Sequence, residues 1–284
     1  MFYDFMPQVL KKQFPLILAF LILLIYLTFV YFVFVQISKK TLIEWVIFYM
    51  GTFSVYMIFW SLYKASTIEP GFIPKNTMVE HDETQPQNYC LSCRIRRPER
   101  SHHCSKCQRC ILNMDHHCIW TSNCIGLYNR KYFILILFWG SLGMFLASIF
   151  GLINLSALWN KIWEYDSLDF NKVWAGFIFF IVFSQFFNSF GLYYFFWINF
   201  KLIIINIGTL DQLILEIEAQ SKRKYSRNDL TVYDLGFWYN FQFYFGKNPF
   251  LWLIPVGIPL GDGYHWDKKV SSREMSGKDL NIME

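Results

Sequence analysis

All seven cysteines of this 284-residue chain fall between Cys90 and Cys124, and four of its six histidines, His102, His103, His116 and His117, fall among them. Thiols and imidazoles at this density are metal-binding chemistry. In a reducing compartment, where disulfides do not persist, they point to zinc. The spacings agree: Cys90-x2-Cys93, Cys104-x2-Cys107 and Cys107-x2-Cys110 each suit a metal knuckle. Thiols serving as small buried hydrophobes do not fit a segment so rich in Arg, Lys, Asn and Ser. Two closed tetrahedral sites need about eight ligands, and the segment offers eleven Cys and His side chains. The surplus is where reactivity can reside, although spacing alone leaves open which cysteine is free.

The run Asp115-His116-His117-Cys118 narrows the choice. A cysteine nucleophile needs a base beside it, because an unperturbed thiol with pKa ~8.5 is mostly protonated at neutral pH. A histidine base works best when a carboxylate fixes its tautomer and stabilises its cation. On a helix, His116 and Cys118 would face different ways. The segment is therefore expected to be a tight non-helical turn, which metal ligands at His117 and Cys124 would hold rigid. The alternative is that Cys118 is one more ligand, with Asp115 orienting a liganding histidine.

The elements that must carry this segment are apolar. Of all residues, 54% are hydrophobic and 21% aromatic, and the net charge is +5. Four runs without a charged residue, Phe14–Ile37, Trp45–Tyr63, Tyr132–Asn160 and Val173–Phe200, are long enough to cross ~30 Å of hydrocarbon. The first is too long for the core of a cleaved signal peptide and no small-x-small site follows it, so it reads as a retained span. The runs hold no Asp, Glu, Lys, Arg or His, which argues against an ion pathway or proton relay. Their polar residues Asn154, Gln185 and Asn188 suit helix–helix contacts. With four spans, the two ends and the connection 64–131 lie on one side, and that side carries twenty-two of the twenty-six Lys and Arg residues. It is expected to be cytosolic. No basic helix or stripe suggests a nucleic-acid partner.

From Cys90 to Phe133 the chain resembles the cysteine-rich domain of DHHC-type protein S-acyltransferases, or palmitoyltransferases. The pattern C-x2-C-x9-H-C-x2-C-x2-C-x4-D-H-H-C-x5-C-x4-N-x3-F is met at Cys90, Cys93, His103, Cys104, Cys107, Cys110, Asp115, His116, His117, Cys118, Cys124, Asn129 and Phe133. The family also places this loop between the second and third of four spans. The resemblance implies an all-α integral membrane fold: the first two helices within 1–63, a cytosolic zinc domain over 64–131, helices three and four within 132–206, a cytosolic region with an aromatic motif over 207–266, and a tail over 267–284 too charged and Ser-rich to fold. It implies one structural zinc on Cys90, Cys93, His103 and Cys110 and a second on Cys104, Cys107, His117 and Cys124. Cys118 is then the nucleophile that carries the acyl thioester, His116 its base and Asp115 the partner that orients the base.

Three places depart from the family pattern. Ile119 follows the nucleophile where Pro is usual, Glu69-Pro70-Gly71 stands for D-P-G, and Gly208-Thr209-Leu210-Asp211 stands for T-T-x-E. The latter two read equally as a turn and a helix end, and no catalytic part is assigned to them. The stretch from Tyr233-Asp234-Leu235-Gly236 through Asn240 to Phe245-Gly246 resembles the aromatic motif, with Asn240 expected to brace the catalytic loop through backbone bonds.

The implied reaction has two steps: Cys118 takes the acyl group from acyl-CoA, then passes it to a cysteine of a substrate protein. The third span starts soon after Cys118, which suits a thiol at the membrane surface. A palmitoyl chain has ~14 methylenes at ~0.8 kcal/mol each, roughly 11 kcal/mol in favour of an apolar site. Arg97, Arg100 and His102 are candidates to meet CoA phosphates, and Gly143 falls where the family sets the depth of the acyl cavity. Substrate proteins with membrane-proximal cysteines, the bilayer and an endoplasmic reticulum or Golgi location complete the expectation. An accessory subunit is compatible with it. The competing readings are a non-catalytic membrane zinc module and a membrane ubiquitin ligase; the ligase reading requires Cys118 to be a ligand or idle and leaves Asp115 and His116 without a task.

Overall fold

The computed structural model describes residues 8–31, 40–74, 89–156, 160, 170–220 and 232–269. The ends of the first and third expected spans, 32–37 and 157–159, and the tail from residue 270 lie outside these residues. Among the described residues, four helices are long and apolar enough to cross a membrane: α1 (Gln8–Phe29), α2 (Leu42–Thr67), α3 (Arg130–Ile153) and α4 (Phe170–Ile204). Six short strands lie among the described residues between α2 and α3: β1 (Tyr89–Cys90), β2 (Ile95–Arg96), β3 (His102–Cys104), β4 (Arg109–Ile111), β5 (His116–Cys118) and β6 (Asn123–Ile125). After α4 come α5 (Thr209–Gln220), α6 (Phe237–Phe245) and a 3-10 turn at Pro249–Leu251. The expected class holds: a mostly helical membrane-type chain with its cysteine-rich segment between the second and third long helices.

The chain divides into two compact units, Met1–Ser66 with Tyr132–Trp197, and Thr67–Lys131 with Ile198–Glu284. In the first, helices approach through small residues, as helices do where no aqueous hydrophobic force drives them together. A Cβ built on Gly151 would stand 2.5 Å from Val182, and one on Gly140 would stand 2.8 Å from Leu192. Aromatic rings fill the remaining gaps edge to face, as in Phe29 with Phe150 and Phe53 with Trp139. Many large apolar side chains point outward, among them Leu16, Phe20, Tyr56, Phe180 and Phe187. That is costly in water and natural in lipid. A capping box opens α2: Thr41 N–H and Oγ1–H donate to Glu44 Oε2, both at 2.7 Å, and Glu44 N–H returns to Thr41 Oγ1 at 3.4 Å.

The second unit is built on three antiparallel hairpins, β1–β2, β3–β4 and β5–β6. The chain leaving α2 is tied to them by backbone bonds, Leu112 N–H to Gly71 O at 2.8 Å and Ile73 N–H to Cys110 O at 3.0 Å. Gly126 sits where a Cβ would meet Pro70 O at 2.5 Å, so no side chain fits there. Asn129 closes the exit into α3: its Oδ1 accepts from Gly126 N–H at 2.9 Å and its Nδ2 donates to Cys124 O at 2.8 Å. The region 207–266, set apart in the sequence, packs in this same unit as the hairpins.

Candidate active site and metal clusters

Strand alternation sorts the chemistry. In extended backbone successive side chains face opposite ways, so His116 and Cys118 share one face of β5 and His117 takes the other. His117 lies directly across from Cys124 on β6. The expected tight turn at these residues is instead a strand, and the turn occupies 119–122. Likewise β3 sets His103 across from Cys110 on β4.

Two clusters follow from this pairing. The ligand atoms of Cys90, Cys93, His103 and Cys110 all lie within 4.8 Å of one another, as do those of Cys104, Cys107, His117 and Cys124. These are the two sets of four that the resemblance implies. A tetrahedral zinc with bonds of about 2.3 Å to sulfur and 2.0–2.1 Å to nitrogen sets its donors about 3.5–3.8 Å apart. His117 Nδ1 stands 3.6 Å from Cys104 Sγ, 3.4 Å from Cys107 Sγ and 3.4 Å from Cys124 Sγ. His103 Nδ1 stands 3.3 Å from Cys93 Sγ and 3.9 Å from Cys110 Sγ. Three thiols and one imidazole at these distances fit zinc in both places. Cys118 belongs to neither cluster.

Asp115 is almost fully buried and fully engaged. His116 Nδ1–H donates to its Oδ2 at 2.8 Å. Thr209 N–H donates to its Oδ1 at 2.8 Å, and Thr209 Oγ1–H lies 2.9 and 3.0 Å from its two oxygens. Arg130 pairs with Oδ1 at 3.2 Å. A lone buried carboxylate would cost several kcal/mol, and these donors offset that cost. Arg130, itself buried, also donates to Ile207 O at 2.8 Å and Tyr244 Oη at 3.2 Å. Tyr244 Oη in turn accepts from Asn113 Nδ2 at 2.8 Å and lies 3.1 Å from Asn206 Oδ1.

Thr209 arrives there because α4 ends abruptly. Asn206 adopts φ 52°, Asn206 N–H bonds Ile203 O at 3.0 Å and Ile207 N–H bonds Leu202 O at 2.9 Å. This is a Schellman stop with asparagine in the left-handed position. The next residues cap Asp115 and open α5.

The electrostatics fit nucleophile activation. Burial opposes charge on His116, but its bonds to Asp115 and Cys118 outweigh burial and push its pKa up to about 9. Burial raises Cys118, and the His116 partner then pulls the thiol below its ordinary value. Burial raises Asp115 too, yet Arg130 and His116 hold it below the usual carboxylate range. With Nδ1 of His116 given to Asp115, the other ring nitrogen is left for the thiol.

A parallel pair sits one hairpin earlier. His102 Nε2 lies 2.9 Å from Asp211 Oδ1, and Arg100 Nε lies 3.7 Å from Asp211 Oδ2. Arg100, expected at CoA phosphates, is instead turned inward. Its guanidinium donates to Asn206 Oδ1 at 3.1 Å and Asn206 O at 2.6 Å, and it stacks on Tyr233 and Trp266. Arg97 and His102 keep partial exposure. In the other unit Gly143 lines a small apolar cavity with Tyr26, Phe29, Phe48, Thr52 and Phe150.

Asn240, expected to brace the catalytic loop, bonds Ile204 O at 2.6 Å and Leu235 N–H at 3.1 Å, which fixes the chain after α4. Bonds to the cysteine-rich segment come instead from Tyr244, one turn on along α6, and from Tyr233, whose hydroxyl donates to Glu99 Oε2 at 2.9 Å. Sequence reasoning missed Tyr244, Arg130 and the capping by Thr209. The one available signal was that a buried Asp beside His116 requires a cation.

A profile of the DHHC palmitoyltransferase family matches residues 83–216. Probable protein S-acyltransferase 12 of Arabidopsis thaliana is 29% identical over 224 residues, which cover 74% of this chain and 72% of the relative. Probable protein S-acyltransferase 14 of the same plant is 30% identical over 226 residues, covering 72% and 69%. Palmitoyltransferase ZDHHC2 of Homo sapiens is 31% identical over 175 residues, covering 62% and 44%. With the full pattern from Cys90 to Phe133 and a protein S-acyltransferase relative 30% identical and matched over 69% of its length, the chain belongs to the DHHC palmitoyltransferase family.

Proposed function

We propose that this protein transfers a long-chain acyl group from acyl-CoA, through a thioester on Cys118, to cysteine thiols of substrate proteins. The observation that carries this reading is that His116 and Cys118 share one face of β5 with Asp115 bonded to the His116 ring, while His117 on the opposite face joins the second cluster of metal-type donors. Relatives named palmitoyltransferase and protein S-acyltransferase support the same chemistry. A ubiquitin ligase or a docking module would leave that array without a purpose.

In the first step the Cys118 thiolate attacks the thioester carbonyl. The C–S bond to CoA breaks, and the CoA thiolate leaves with the proton held by His116. In the second step His116 takes the proton of the incoming cysteine, whose thiolate attacks the acyl-Cys118 bond and releases Cys118. Asp115 keeps the His116 ring in one tautomer throughout. Zinc in the two clusters would stiffen the hairpins and take no part in bond making. Arg97 and His102 are the partly exposed groups proposed to meet CoA phosphates, and Gly143 is proposed to set how long a chain the apolar cavity takes. We place the hairpins and both ends on the cytosolic face of an endoplasmic reticulum or Golgi membrane, as the distribution of Lys and Arg supports. Substrates there would carry their cysteines close to the bilayer.

Incubating the purified chain with lauroyl-, myristoyl-, palmitoyl- and stearoyl-CoA should leave a hydroxylamine-labile acyl mass on the peptide containing Cys118. An acyl group on another cysteine, or none, overturns the assignment. Gly143→Ile should shift the preference toward the shorter donors, because even a Cβ at 143 would already stand 3.2 Å from Ser54 Cβ. An unchanged donor profile would remove Gly143 from the account.

A further inference from the structure

The three hairpins are copies of one unit repeated every fourteen residues. Cys90, Cys104 and Cys118 each end the first strand, and each is followed by a four-residue loop. The last loop residue is left-handed in all three, Arg94 at φ 56°, Gln108 at φ 56° and Ser122 at φ 48°. In the first two copies the residue three places on supplies a second sulfur. It also aims its N–H at the first sulfur: Cys93 N at 3.4 Å from Cys90 Sγ, and Cys107 N at 3.3 Å from Cys104 Sγ. In the third copy that place is Thr121.

The other two ligands of each cluster come from the following hairpin, His103 and Cys110 for the first and His117 and Cys124 for the second. The same spacing beyond Cys118 reaches Lys131 and Phe138, which belong to α3. Repeat geometry therefore places Cys118 at a metal-knuckle position and then withholds the second sulfur and both cross-hairpin donors.

We propose that the third hairpin is a knuckle without a metal, in which Thr121 is a positioning residue that holds the Cys118 sulfur in the direction a metal would otherwise impose. The inference rests on the reading of Cys118 as the nucleophile. Thr121 is 1% exposed. Its hydroxyl lies 3.5 Å from Cys118 O and 3.4 Å from Asn123 O, long for O–H···O bonds that favour about 2.7–2.8 Å. Its place in the loop repeats that of Cys93 and Cys107, whose N–H groups face the first sulfur of their own hairpins. A hydroxyl donates to a thiolate without competing for a thiophilic cation. A thiol in the same place would complete Cys-x2-Cys beside His116 and trap the nucleophile under a metal.

The test uses the full chain and three variants, with metal content and the rate of acyl-Cys118 formation measured for each. Thr121→Ser keeps the donor and should react within about threefold of the natural rate, whereas Thr121→Val should react about tenfold slower, as fits the loss of one hydrogen bond to a charged sulfur. Thr121→Cys should bind one more Cd2+ per chain than the natural protein, seen as added cadmium–thiolate absorbance without acyl-CoA present. It should lose acylation while loaded and regain it when the added metal is removed. Val and Ser variants that both react at the natural rate would overturn the proposal, and so would a Cys variant that takes up no extra metal. Since metal uptake is read without substrate, its result stands apart from the assigned reaction, which fails only if the natural chain is not acylated at Cys118.

Discussion

Cys118→Ser is expected to abolish acyl-enzyme formation, by on the order of a thousandfold or more, while metal content and folding stay as in the natural chain. The side chain is 3% exposed and belongs to neither cluster. Serine fits its space. What disappears is a sulfur that His116 can hold as its anion, since an alcohol of far higher pKa does not ionise under the same field. Elemental analysis for zinc, together with hydroxylamine-labile incorporation from palmitoyl-CoA, gives the two readouts. Loss of metal would make Cys118 a ligand, and undiminished acylation would move the nucleophile elsewhere.

Cys124→Ser should fail in the opposite order. Cys124 is fully buried, faces His117 across β5–β6 and completes the second cluster. Structural zinc in small cysteine-rich folds is worth about 10–16 kcal/mol of binding that is also folding, and these two- and three-residue strands have little else to hold them. The middle hairpin serves both clusters, giving His103 and Cys110 to the first and Cys104 and Cys107 to the second. The variant should therefore keep at most one metal per chain, expose the segment to protease and lose acylation as a consequence. Two metals retained with full activity would refute the interleaved pairing.

Local pattern carried much of this in the sequence. Charge-free runs marked the four long helices, although observed ends differ by several residues, as in Leu42–Thr67 against the expected Trp45–Tyr63. Cysteine and histidine spacing marked both clusters. What spacing could not carry was long-range. Asp115 meets Thr209 across 94 residues, and Arg130 meets Tyr244 across 114. Arg130 and Lys131 were counted as charges flanking a span, but both are buried: Lys131 donates to Leu251 O and Val256 O at 2.8 Å. Arg100, a sequence candidate to meet CoA phosphates, is an internal brace. In each case a cation finds carbonyl, carboxylate or aromatic partners brought by a distant segment, and no local periodicity encodes that. The error at 116–118 was of another kind. A helix was rightly excluded, and the simplest remaining conformation, a strand, already puts positions two apart on one face.

That two-residue period has a consequence for how the protein can change. Slipping β5 by one place would turn His117 toward the thiol's side and swing His116 and Cys118 toward the cluster side, exchanging two incompatible trades at a stroke. A single insertion or deletion between residues 115 and 124 would thus disturb the nucleophile and the second cluster together, whereas substitution of Cys118 or of Cys124 strikes one of them first. In descent or in design, parity of length is the inherited quantity here.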